Sequence, residues 1–175
     1  MRDKNIKEMV YTSLLAALVC VATFTIKVPS VVTNGYVHLG DGFIFIAVIL
    51  LGGKRGAWAG SIGASLADIL GGYSHYAIPT FIIKGIMCLI MYYVIEKIGE
   101  ENKISWVIGA TLGSVWQIAA YYVVGSFMVG SFISTLADIP GNAVQSIAGI
   151  IVAVIFVVAF RNTPIGKRIA FSEKQ

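Results

Sequence analysis

Apolar residues in this chain come in long unbroken runs, and polar residues fall either in the gaps between runs or at isolated positions inside them. Six runs fit transmembrane helices, over about 7–26, 37–51, 57–70, 79–98, 106–127 and 138–160. The second and third are short for a hydrocarbon core ~30 Å thick, which takes about 20 helical residues to cross. Only "GGKRG" separates them, so the pattern predicts a tight hairpin that does not reach full depth everywhere. Gly52-Gly53, Gly71-Gly72, Pro79 and Pro140-Gly141 punctuate the helix ends.

Composition agrees with the runs. Of 175 residues 57% are hydrophobic and 13% charged, with mean hydropathy +0.83; a soluble domain carries roughly twice that charge fraction, about 25%. The expectation is an all-α polytopic membrane protein forming one domain over residues 1–175. Charge then sets orientation. With the N-terminus inside, Arg2, Lys4, Lys7, Lys54, Arg55, Lys97, Lys103, Arg161, Lys167, Arg168 and Lys174 all fall on inner segments, leaving only Lys27 outside and Lys84 within a span. The positive-inside rule is thus met by six spans with both termini cytoplasmic. The formal charge of +4 reflects topology and not nucleic-acid binding. The first run is followed by Lys27 and Pro29 without a small-residue exit, and "AALVC" ending at Cys20 is a poor lipoprotein signal, so the first helix is expected to remain.

Lys84 is the costly residue. It interrupts "AIPTFIIKGIMCLIMYYVIE", and a lysine at the centre of a bilayer helix costs about 2.5–3.5 kcal/mol on insertion scales. In the deduced topology the other intramembrane polar groups gather on the same, outer side. Asp41 opens the second span, Asp68 closes the third, and Asp138, Asn142 and Gln145 occupy the outer half of the sixth. His38 and His75 lie in or beside outer loops. Such groups must face the protein interior or water. Lys84 has Asp41 or Asp68 as a partner, and either clamps helices together or floors a polar pocket open to the outside.

The fifth span adds Ser114, Gln117 and Tyr121 at i, i+3, i+7 on one face, with Trp116 adjacent. Asn142 and Gln145 repeat the i, i+3 spacing on the sixth. Each amide alone reads as interhelical glue. Together, beside aromatic rings and with Thr80 and Tyr76 near the start of the fourth span, they suit a small, neutral, hydrogen-bonding ring ligand. Tyr36, Tyr73 and Tyr76 at the outer rim either close over that ligand or anchor the interface.

Other chemistry finds little support. The sequence has no Walker A loop, no H-E-x-x-H and no nucleophile elbow, and its two histidines are far apart, so neither catalysis nor a metal or cofactor is expected. Cys20 and Cys88 lie in separate apolar runs and read as small packing residues. There is no convincing internal repeat of the kind inverted-repeat carriers show. Small residues recur at four-residue spacing on the first span (Ser13/Ala17 and Ala16/Cys20) and on the third (Gly56/Gly60, Gly60/Ala64 and Gly63/Ala67), where they allow close helix approach. The third-span set reads as internal packing of the hairpin.

The stretch "VHLGDGFIFIAVILLGGKRGAWAGSIGASLADILGGYSHYAIPTFIIKGIM", residues 37 to 87, resembles the substrate-binding S components of energy-coupling factor (ECF) vitamin transporters, of the riboflavin-type group. Its "HLGD", "ASLADILGGY" and "PTFIIKG" segments carry the likeness. The resemblance implies the S-component fold, a cup of six helices in the prokaryotic plasma membrane whose vitamin site opens outward. It implies as partners a membrane coupling subunit and two cytoplasmic ATPases, and a mechanism in which the loaded S component topples to face the cytoplasm. It places Ser13, Ala16, Ala17 and Cys20 on the small-residue patch that meets the coupling subunit. The amide-rich fifth and sixth helices favour vitamin B6 or hydroxymethylpyrimidine over riboflavin. The competing readings are a stand-alone channel or proton-coupled carrier using Asp41, Asp68 and Lys84 as a relay, and a structural subunit that binds no small molecule.

Overall fold

A computed structural model describes residues 2–30, 35–99, 102 and 104–160, with side chains from residue 5 onward. Of the basic residues that set the deduced orientation, Lys103, Arg161, Lys167, Arg168 and Lys174 and the side chains of Arg2 and Lys4 lie outside the described residues. The chain runs α1 (Arg2–Thr25), β1 (Lys27–Pro29), β2 (Tyr36–His38), α2 (Gly40–Leu51), α3 (Gly53–Leu70), α4 (Ala77–Ile98), α5 (Ser105–Val129), α6 (Phe132–Thr135) and α7 (Ile139–Phe160). One 3₁₀ turn, Ser74–Tyr76, leads into α4 and another, Leu136–Asp138, leads into α7.

Among the described residues, Asn5–Thr25, Ser74–Ile98, Ser105–Val129 and Phe132–Phe160 are long and apolar enough to cross a membrane. Of the helices at the expected second and third spans, α3 runs 18 residues and α2 is the shorter. At 12 residues α2 covers about 18 Å at 1.5 Å per residue, well short of a ~30 Å core. Its side chains are buried from Ile44 to Ile49, so it is wrapped by protein rather than by lipid. The expected hairpin is present. Gly52, at φ 76°, reverses the chain between α2 and α3 in the left-handed region that a residue with a side chain enters only with strain.

The helices close a ring in which α1 packs on α3, α3 on α4, α4 on α5, α5 on α7, and α7 on α2, which returns to α1 and α3. Val19, Ile44, Phe45, Val48, Met87, Met91, Ile95 and Trp106 fill its interior. The glycines of α3 make the close approaches possible, as the sequence pattern leads one to expect. A Cβ at Gly56 would lie 2.7 Å from the Val48 backbone, and one at Gly60 2.9 Å from Ile44. On Gly63 it would overlap the Ala16 carbonyl oxygen and approach Val19 to 2.7 Å. Cys88 is buried against Gly60 as a packing residue. On α1, Ala16 faces inward and Cys20 is half-buried, whereas Ser13 and Ala17 are exposed.

One feature was not predicted from the pattern. Lys27–Pro29 and Tyr36–His38, placed in the first span's exit and the second span's start, form an antiparallel pair with Lys27 opposite His38 and Pro29 opposite Tyr36. This small hairpin lies across the end of the bundle where α2 and α7 begin. Lys54, Arg55 and Lys97 are at the opposite end, where Arg55 pairs with Glu8 at 2.6 Å.

The α1–α3 seam tolerates no extra volume. Gly63→Val should lower the thermal unfolding midpoint in detergent, at an overpacking cost of about 1–3 kcal/mol. Ile62→Val, at a neighbouring exposed position, should stay within about 0.5 kcal/mol. Equal midpoints for the two variants would contradict the seam.

Candidate functional site

Lys84, the residue that interrupts the fourth span, is fully buried. Its ammonium pairs with Asp41 Oδ1 at 2.5 Å, so of the two partners left open by the sequence the fold selects Asp41. The same ammonium donates to Gln117 Oε1 and stands 5.5 Å from the centre of the Tyr121 ring. Asp41 Oδ2 accepts from Gln117 Nε2 at 2.7 Å and from Gln145 Nε2 at 2.9 Å. Gln117 Nε2 also donates to Ser146 Oγ at 2.7 Å, and Ser146 Oγ donates to the Asn142 carbonyl at 3.0 Å. The network therefore joins α2, α4, α5 and α7. Both charges were taken out of water, which is tolerable only because they neutralise each other and their remaining valences are met by amides.

A cavity of about 310 Å³ opens above this layer, under the β hairpin. Val28 and Pro29 of β1 with Ser30 just after it, and Tyr36, Val37 and His38 of β2 with Gly35 just before it, form one wall. Asp68 closes it from the end of α3, Tyr76 and Thr80 from the start of α4, and Tyr121 from α5. Ala137, Asp138, Gly141, Asn142 and Gln145 complete it. Of the residues singled out in the sequence, His38, Asp68, Tyr76, Thr80, Tyr121, Asn142 and Gln145 therefore meet at one cavity. Asp41, Lys84 and Gln117 lie in the layer beneath it. Trp116 is at the α4–α5 seam, where its Nε1 donates to the Ile83 carbonyl at 3.1 Å.

Gln145 links the two layers. Its amide completes Asp41, and its Oε1 accepts from the His38 backbone N–H at 2.8 Å. His38, in the strand above α2, accepts from Gly40 N–H at Nδ1 at 3.0 Å. Burial holds its imidazole below the ordinary histidine range, at about 4, so it is neutral near pH 7 and can serve as that acceptor. The hairpin is pinned at both sides of the mouth. Ser30 Oγ donates to Asp138 Oδ1 at 2.5 Å, and the Tyr36 hydroxyl donates to Asp68 Oδ1 at 2.6 Å. Burial and the neighbouring Asp68 carboxylate push the Tyr36 phenol up, keeping its proton in place to donate. Tyr73 packs on Tyr36 with ring centres 4.5 Å apart.

Asp68 has capacity to spare. Thr80 lies beside the carboxylate, and Oδ2 is buried with no hydrogen-bond partner among the described residues. The Thr80 oxygen accepts from the Tyr121 hydroxyl at 3.1 Å. A lone acceptor on a cavity wall suits a ligand bearing an N–H or O–H donor, since an unmet buried acceptor is costly. The hairpin residues Val28, Pro29, Ser30 and Val37 escaped the sequence reading, as three-residue strands carry too few positions to establish a period.

The model of the family described as "ECF-type riboflavin transporter, S component" matches residues 3–162 of this chain. A protein of Pyrococcus woesei, described as an uncharacterized protein in the gap 3′ region, is 30% identical over 134 residues, covering 77% of this chain and 88% of that protein. The thiamine precursor transporter HmpT of Lactococcus lactis subsp. cremoris is 29% identical over 155 residues, 87% of each chain.

The ion pair makes a sharp prediction. Lys84→Met leaves the Asp41 charge buried without its counter-ion and should cost about 3–5 kcal/mol. Adding Asp41→Asn removes the orphaned charge while keeping an acceptor for the glutamine amides, so the double variant should recover part of the loss. Thermal unfolding of the purified chain in detergent measures both; a double variant less stable than Lys84→Met would refute the pairing as the source of the effect.

Proposed function

Because this chain belongs to the family of S components of ECF-type riboflavin transporters, we propose that it is the substrate-binding subunit of such a transporter, importing a B-group vitamin or vitamin precursor. The family and the apolar helices make it a membrane protein, and in this reading it resides in a prokaryotic plasma membrane as a single domain of six spans, with α2 and α3 counted among them. The observation that carries the proposal is the cavity beneath the hairpin. It combines aromatic walls, amides and the unpartnered Asp68 acceptor at one end of a bundle whose other end is filled with hydrocarbon. Lys54, Arg55 and Lys97 at that other end support a cytoplasmic position for it by the positive-inside rule, and in this reading the cavity faces outward.

The ligand is a small ring. A volume of about 310 Å³ is at the lower end of ordinary small-molecule sites, which span roughly 300–1,000 Å³. That favours one ring with short substituents over a tricycle bearing a sugar-alcohol chain. Hydroxymethylpyrimidine leads, in keeping with the description of the Lactococcus relative as a thiamine precursor transporter, followed by vitamin B6 and then riboflavin. An aminopyrimidine offers its N–H to Asp68, its ring to Tyr36 and Tyr121, and its other polar edges to Asn142. The chain itself is no enzyme in this reading. A membrane coupling subunit meets the exposed Ser13 and Ala17 side of α1, with Ala16 and Cys20 turned toward the bundle. Two cytoplasmic ATPases drive the toppling that turns the loaded cup inward.

The carrier alternative needs a polar path across the membrane. Asp41 and Lys84 are instead capped from below by Ile44, Phe45, Met87 and Met91, and Asp68 is engaged with Tyr36 rather than with the ion pair.

The test is direct binding by the purified full chain in detergent, with native mass spectrometry of whatever copurifies. The expected result is submicromolar retention of a pyrimidine or pyridine vitamer. Asp68→Asn should weaken binding about 10- to 100-fold, the scale of a hydrogen bond to a charged acceptor. Transport by this chain alone in liposomes, with no retained ring compound, would overturn the proposal in favour of the carrier.

A further inference from the structure

Among the described residues, the charged side chains in the cavity wall are of one sign. Asp68 and Asp138 stand on opposite sides of the hairpin, and no described lysine or arginine joins them in the wall. His38 contributes no charge, being held neutral by burial. Lys84 sits one layer below with no exposure and is already matched by Asp41. Lys27 is not part of the wall. Its ammonium lies 4.8 Å from the Phe24 ring centre, 5.4 Å from that of Tyr73 and 5.7 Å from that of Tyr36. The sequence between the two strands that lies outside the described residues, Val31-Val32-Thr33-Asn34, contains no ionisable residue.

A walled cavity of low polarizability focuses such a field on whatever enters. B-group vitamins and their precursors commonly exist in two forms, a free hydroxymethyl compound and its phosphate ester. The ester carries about −1.5 to −2 charges at pH 7. Phosphate sites are ordinarily built from arginine forks, lysine or exposed backbone N–H groups at a helix N-terminus. The helix N-termini at the cavity are those of α4 and α7, and a carboxylate stands at each: α7 follows Asp138 directly, and α4 brings Thr80 beside Asp68.

We infer that this is an anion-excluding site, taking the free alcohol form of its ring ligand and rejecting the phosphate ester, with Asp68 and Asp138 as the residues that set this specificity. The inference rests on the proposed function above, since it concerns the form of the ligand bound at the same cavity. Asp68 acts in two ways, as the acceptor for the ring's donor and as a repelling charge. Asp138 acts by charge, its Oδ1 being engaged by Ser30.

The experiment compares matched pairs of ligands on the purified full chain at pH 7: hydroxymethylpyrimidine with its phosphate, pyridoxine with pyridoxine 5′-phosphate, and riboflavin with flavin mononucleotide. Ratios within a pair are independent of the fraction of protein that is folded. For whichever pair binds, the ester should be weaker by about 100-fold or more at low ionic strength, and the gap should shrink as salt screens the carboxylates. Asp138→Asn should narrow the ratio about tenfold, and Asp68→Asn/Asp138→Asn should narrow it further. Esters bound within threefold of their alcohols would overturn the inference while leaving the vitamin-binding reading intact. A ratio that is large but indifferent to salt and to both substitutions would also overturn it, because exclusion would then be steric. Binding of no member of any pair would overturn both readings together.

Discussion

An ammonium and a carboxylate with no exposure at all, inside a membrane helix bundle, impose a geometric demand that hydrocarbon packing does not. Lys84 and Asp41 are tolerable only where they meet, and only where every spare valence of the pair finds a donor or acceptor. Gln117, Gln145 and Ser146 supply those partners, and they come from helices that are distant in sequence. One relative arrangement of α2, α4, α5 and α7 satisfies them all. Leucines in their place would pack as well in many registers. The ion pair is thus better understood as fixing which bundle forms than as the main source of its stability. It also accounts for the short α2: a helix whose first turn must deliver Asp41 to the centre of the protein is enclosed by its neighbours.

From this layer the two ends of the molecule diverge. Above it the helices splay enough to leave a cavity, which the hairpin covers. Below it, Ile44, Phe45, Val48, Met87, Met91 and Ile95 close the interior with hydrocarbon. A solute entering from the hairpin side meets a neutralised polar floor and then an apolar plug. Among the described residues no polar path continues through that plug. In the proposed function, delivery to the other side would require the whole cup to reorient, the task of the proposed coupling and ATPase partners. The exposed side chains of α1, among them Leu14, Leu18 and Val21, present a smooth apolar face to lipid, in keeping with a body that turns within the bilayer.

The legibility of this design in the sequence follows from physics. Long apolar runs announce helices because backbone polar groups cannot be left unpaired in lipid, and a lysine in such a run announces a partner for the same reason. The face bearing Ser114, Gln117 and Tyr121 was readable from its spacing. Periodicity could not say that Gln117 would serve the ion pair, that Tyr121 would line the cavity, or that Ser114 Oγ would be buried without a partner among the described residues. Nor could it choose between Asp41 and Asp68, since both lie near the outer ends of their runs and only the tilt and depth of α2 and α3 bring one of them to Lys84. The glycines of α3 were readable as packing residues because close helix approach has a fixed four-residue signature. The Lys27–Pro29 and Tyr36–His38 strands have no such signature: their pairing is decided by the surface on which they lie.

Gln145 shows why recognition and scaffolding remain separable although the two layers touch. It is part of the cavity wall, yet its carbonyl is taken by His38 N–H and its amide by Asp41. A ligand that recruited this amide would have to break a bond to a buried carboxylate, which costs more than an ordinary hydrogen bond returns. In the proposed function, discrimination would come from groups with capacity left over, and among buried carboxylate oxygens Asp68 Oδ2 is the one with no partner among the described residues. The hairpin holds the other oxygen of the same carboxylate through Tyr36. In the proposed function a donor arriving at Oδ2 would reach a group already tied to the cover of the site, so occupancy and closure of the mouth would bear on one side chain while the ion pair beneath is left undisturbed.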